Sequence, residues 1–112
     1  MRHSFIAPLL LLAAGALYAQ QAMPRMTAVD PETGKAGDVL TITGENLDKG
    51  QVVEVYLTDG KKDTKLQVTD QAPTTIKCKI PDKVTAGRFA LAVLTGGKEP
   101  KFIEQPVKVN IE

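Results

Sequence analysis

Tryptophan is absent from this 112-residue sequence, cysteine and histidine occur once each, and only five residues are Phe or Tyr. The single histidine, His3, lies in a leader segment. The rest of the chain, with one thiol and no imidazole, has no Ser/His/Asp or Cys/His nucleophile and no His-rich metal site. Cys78 has no second cysteine to pair with, so the fold is expected to form without a disulfide. An excess of either charge is missing too. Beyond residue 19 the chain carries 13 basic and 13 acidic side chains. A neutral chain lacks the positive field that draws proteins onto nucleic acid or anionic membranes, and neither is expected as a partner.

The longest apolar run is Phe5 to Ala19, 15 residues preceded by Arg2 and His3 and closed by small residues at Ala16 and Ala19. A membrane span needs about 20 apolar residues, so the run reads as a signal peptide over residues 1–19. Cleavage after Ala19 leaves Gln20 first, and Ala14-Gly15-Ala16 offers a rival site before Leu17. No membrane span is expected once the leader is removed. The lone cysteine and the lack of any Asn-x-Ser/Thr sequon favour bacterial export, to a periplasm or the medium, over a eukaryotic secretory route.

Past the leader, apolar residues recur at every second position in short runs. These are Leu40 and Ile42; Val53, Val55 and Leu57; Leu66 and Val68; Ile76, Cys78 and Ile80; Phe89, Leu91 and Val93; and Val107, Val109 and Ile111. A period of two marks half-buried strands. Turn formers separate the runs, as at Asp30 to Gly34, Asp59-Gly60 and Gly96-Gly97. With a first strand near Arg25 to Val29 the pattern predicts about seven strands in an all-β, two-sheet sandwich, because one open sheet of this size leaves an apolar face wet. Pro106 is expected at an edge or a bulge.

The stretch from Pro31 through Gly34, Gly37, Gly44 and Asn46 to Leu47 resembles the opening signature of IPT/TIG domains. Ile76 to Pro81, then Gly87 and the alternating Phe89, Leu91 and Val93, resemble that family's fifth and sixth strands. The likeness covers residues 23–112 and implies an immunoglobulin-like sandwich of the E-set type. These domains are scaffolds found in plexins, transcription factors and bacterial exported proteins, so the resemblance implies fold more than function. The residues have physical roles of their own: Gly34 and Gly37 are expected at positive φ, Gly44 where a side chain would obstruct the bend, Asn46 in the left-handed region and Leu47 as a core plug.

No catalytic constellation emerges. The loop carboxylates Asp30/Glu32, Glu45/Asp48 and Asp59/Asp63 are interleaved with turn residues and read as solvated turns, without the dense oxygen set that calcium requires. Cys78, between Ile76 and Ile80, reads as a buried, inert thiol. Lys35, Lys61, Lys62 and Lys83 gather at one end of the sandwich with Asp30, Glu32, Asp59, Asp63 and Asp82, and their charges cancel. The expectation is a small exported module for protein–protein interaction, or an envelope or extracellular structural domain, that is not an enzyme and holds no cofactor or metal.

The candidate functional feature is a face. If Val53, Val55 and Leu57 point inward, Val52, Glu54 and Tyr56 point out; if Phe89, Leu91 and Val93 point inward, Ala90, Ala92 and Leu94 point out. Side by side in one sheet, Val52, Tyr56, Ala90, Ala92 and Leu94 form an apolar stripe where other outward positions are Lys, Thr or Gln. It reads as an interaction face for a second copy or an envelope or extracellular protein. The alternative is a carbohydrate-binding module with Tyr56 as its stacking platform.

Overall fold

The structure, a computed structural model, describes residues 23–112. The leader and its cleavage sites lie outside them. Eight strands follow one another: β1 (Arg25–Asp30), β2 (Thr33–Gly34), β3 (Val39–Glu45), β4 (Val52–Thr58), β5 (Asp63–Ala72), β6 (Thr75–Lys79), β7 (Gly87–Thr95) and β8 (Phe102–Ile111). Seven are the strands expected from the alternation. The eighth, β2, is two residues that pair parallel with Asn110 and Ile111 of β8.

Hydrogen bonding runs in the order β1-β3-β6-β5-β4-β7-β8-β2, and the chain makes two layers because β5 changes partner along its length. Asp63 to Leu66 pair with β4, and Gln67 to Ala72 pair with β6. One layer is β1, β3, β6 and the second half of β5; the other is the first half of β5, β4, β7, β8 and β2. Side chains of alternating positions meet between them, with Leu40, Ile42, Leu47, Val55, Leu57, Ile76, Cys78, Ile80, Leu91 and Val93 all fully buried. Each such Leu, Ile or Val contributes about 1.5–3 kcal/mol by leaving water, which makes this core the main source of stability.

The corner at the start of β3 departs in one detail from expectation. Gly37 has φ of 89° and Asn46 of 56°, as their turns demand. Gly34 does not have positive φ; it is small because an added Cβ would stand 3.2 Å from the Ile80 side chain. At Gly44 a Cβ would run into the Arg25 carbonyl oxygen and lie 2.9 Å from the Met26 Cα, so β1 approaches β3 closely only because that side chain is missing. Leu47 fills the end of the core, its N–H bonded to the Pro73 carbonyl.

The layers are also tied by polar groups. Two extra residues bulge from β8 between Lys108, opposite Ala90, and Glu104, opposite Ala92. This bulge holds Pro106 and keeps the alternation of β8, so that Gln105 takes an inward position, where it is 4% exposed. Gln105 Oε1 accepts the Met26 N–H at 2.7 Å, and its Nε2 donates to the Pro24 carbonyl. Gln71 Nε2 donates to the Leu47 and Val52 carbonyls, pinning the start of β4.

Candidate functional site

The outer face of the β5-β4-β7-β8 layer is built in rows set by strand register. One row reads Glu54, Leu94, Phe102; the next Lys65, Tyr56, Ala92, Glu104; the third Asp63, Thr58, Ala90, Lys108. β4 and β7 lie side by side, as the stripe requires.

The register at the start of β4 corrects the expected membership. A bulge between Val52 and Glu54 inserts one residue, so Val52 turns into the core at 1% exposure and Val53 stands 55% exposed. Two-residue alternation cannot survive an inserted residue. Val52 therefore does not belong to the face. Ala90 and Ala92 do sit in its rows but are 5% and 0% exposed, short side chains standing lower than the larger ones of the flanking strands. Tyr56 and Leu94 remain half-buried and available.

The aromatic that joins them is Phe102, 45% exposed, which was not among the residues expected on this face. Tyr56 on β4 and Phe102 on β8 lean together across β7, their ring centroids 5.4 Å apart at 60°. Edge-to-face aromatic pairs of this kind contribute about 0.5–1.5 kcal/mol beyond their burial. The signal that could have located Phe102 was its odd spacing from the inward Val107, which puts it on the outer face because the two-residue bulge keeps the alternation of β8.

Charges rim the aromatic pair. Lys65 Nζ stands 2.7 Å from Glu54 Oε2, and the Tyr56 hydroxyl donates to Glu54 Oε1. Lys65 first, and then the Tyr56 hydroxyl, hold the Glu54 carboxyl below its ordinary range, and the same bond to Glu54 pushes the Tyr56 phenol above its own. Glu54 thus fixes the ring and the cation at once. On the far side of the pair the small Ala90 leaves an open depression of about 290 Å³, lined also by Thr58, Gly60, Arg88 and Lys108.

Elsewhere the polar residues serve the fold. Asp59 Oδ1 accepts the Lys61 and Lys62 N–H groups at 2.9 and 2.7 Å, and those bonds lower its pKa, with Lys62 the larger cause. Asp38 likewise receives the Lys35 N–H. Both carboxylates are spent on turns. Cys78 is wholly buried, paired in register with Leu40 and Val68, and loss of hydration pushes its thiol up to about 12. A neutral thiol is a poor nucleophile. Among the described residues no three His, Cys, Asp or Glu side chains gather where a metal could be held.

Known proteins were compared against this geometry. A structure of a protein of unknown function from Bacteroides thetaiotaomicron is 21% identical with a TM-score of 0.68, over 83% of this chain and 22% of that one. An auxiliary nutrient binding protein from Bacteroides ovatus is 19% identical with a TM-score of 0.57, over 82% and 21%. The Bacteroides ovatus SGBP-B protein of a mixed-linkage glucan utilization locus, solved with a mixed-linkage heptasaccharide, is 17% identical with a TM-score of 0.50, over 75% and 22%. The chain spans about a fifth of the length of each, and at these identities the likeness is one of fold. No curated protein matches the chain. The IPT/TIG domain family matches residues 24–109, nearly all of the described sandwich. With its immunoglobulin-like strand order and the Gly44 and Asn46 corner in place, the chain belongs to the IPT/TIG domain family.

Proposed function

We propose that the chain is an exported, non-enzymatic IPT/TIG module that acts in protein–protein interaction in the envelope or extracellular space, docking a protein partner on the outer face of the β5-β4-β7-β8 layer. The observation that carries this is the exposed apolar surface of Phe102 with Leu94 and Tyr56 beside it, on a sheet whose other face already lines the core. Large apolar side chains rimmed by charge, here Glu54, Lys65, Glu104 and Lys108, are the composition of a docking surface. The outer face of the other layer is populated instead by Thr41, Thr43, Thr75, Lys77 and Lys79, with Val39 its one large exposed hydrophobic. Affinity capture from the exporting cell tests the reading. Leu94→Lys with Phe102→Lys is expected to abolish capture while Lys77→Glu on the opposite layer leaves it intact; equal capture by both variants would overturn it.

A carbohydrate ligand is the second reading, favoured by the pairing of Tyr56 with an exposed second aromatic. The 60° inclination of the rings weighs against it, since two platforms on one flat sugar chain stack best when coplanar. Retention on insoluble β-glucan that disappears on Phe102→Ala supports the sugar; none on a glycan panel rules it out.

A further inference from the structure

We propose, resting on that docking face, that its occupant is a second copy of this chain, placed face to face about a two-fold axis parallel to the strands over the seam between β4 and β7. The charges at the two edges of the face carry the argument. Along the β5 edge they run Lys65 then Asp63; along the β8 edge, in the same rows, they run Glu104 then Lys108. Each of these two four-residue rows therefore ends in opposite charges, and the sign reverses from one to the other. The proposed axis exchanges the two edges. Lys65 then stands over Glu104 of the second copy and Asp63 over its Lys108, and symmetry makes each pair twice. A patch that meets its own image in a two-fold dimer must be self-complementary, and this one is.

The aromatic end selects the axis. A two-fold perpendicular to the strands would also match opposite charges, but it sets Leu94 and Phe102 against Arg88 and Asn110. The parallel axis brings the two aromatic ends together. It also gives Phe102 a place to go: β5 pairs with β4 no further than Leu66, so no strand stands outside Glu54 in the Glu54–Leu94–Phe102 row. Phe102 of one copy fits over that open corner of the other. Lys65 and Glu104 are exposed, and Lys65, held 2.7 Å from Glu54 Oε2 of its own copy, would meet Glu104 of the second copy as a cation shared by two carboxylates.

Sedimentation equilibrium of the purified protein over a concentration series tests this, with Lys65→Glu, Glu104→Lys and an equimolar mixture of the two. The wild type is expected to show a reversible monomer–dimer equilibrium that weakens at high salt. Each single reversal weakens association about tenfold or more, because it sets like charges against each other twice. The mixture recovers wild-type affinity, since a heterodimer of the two variants restores both Lys/Glu pairs, and recovery also shows that both variants are folded. A wild type that stays monomeric, single variants that associate normally, or a mixture as weak as its components would each overturn the proposal. If the wild type is monomeric while Leu94→Lys with Phe102→Lys still abolishes capture of another protein, the dimer falls and the docking reading stands. If capture is indifferent as well, both fall.

Discussion

Cys78 shows how burial alone sets chemistry at a single residue. Its thiol has no exposed surface and stays protonated up to about pH 12, against an ordinary value of 9.0. A thiol reagent is expected to react only after denaturant is added, and rapid native labelling would place the side chain wrongly. Linkage gives a second test. The folded-state value is raised, so the contribution is intact below pH 9 and is lost as pH climbs toward 12, where the unfolded thiol ionises and the native one does not. At pH 10.5 that amounts to about 2 kcal/mol, and Cys78→Ala should remove this part of the alkaline loss in denaturation measured at pH 8 and 10.5. Glu54 has the opposite sign. Its value is lowered by Lys65 and then Tyr56, so its contribution is present above the ordinary carboxylate range and fades as pH falls through it. Glu54→Gln is expected to flatten the acid limb of the stability profile below pH 4.5, read by thermal unfolding; an unchanged limb would mean that the pair is idle.

The strands are where sequence reading succeeded and where it met its limit. Alternation placed seven of them, because a half-buried strand must carry its apolar residues at every second position, and Ile76, Cys78 and Ile80 are all inward as expected. It could not place β2, whose two residues are too short to show a period. Nor could it place the β4 bulge, because Val52 and Val53 are both apolar and either fits the core. Gln105 was hidden for a different reason: the alternation of Ile111, Val109 and Val107 does point it inward, but its polar side chain carries no hydrophobic signal to extend the pattern past Pro106. The stripe failed at Ala90 and Ala92 since exposure depends on neighbours from other strands as well as on direction. Two substitutions check the bulge. Val52→Asp is expected to unfold the domain, as a buried unpaired charge costs several kcal/mol, whereas Val53→Asp should fall within about 0.5 kcal/mol of wild type in chemical denaturation. The reverse order would restore the unbulged register. Gln105→Leu removes the acceptor of the buried Met26 N–H and is expected to cost about 1–3 kcal/mol by the same assay. A neutral result would show that β1 and β8 do not need this link.

At the scale of the whole molecule, one of the two layers differs from the other in what it offers to solvent. Both bury their inner faces in a shared core, so neither outer face is needed to hold the fold. The β1-β3-β6 layer presents mainly Thr and Lys, and the β5-β4-β7-β8 layer presents Tyr56, Leu94 and Phe102 within a ring of paired and alternating charges. Asp38 and Asp59 are engaged in turns, and Cys78 is sealed in the core. The most direct measurement is a backbone amide NMR titration of the labelled protein, first with itself by raising concentration and then with any captured partner. Shifts are expected to concentrate at Glu54, Tyr56, Lys65, Leu94, Phe102 and Glu104, with Thr41, Lys77 and Lys79 of the other layer unmoved. Perturbation centred on that other layer would contradict the docking reading.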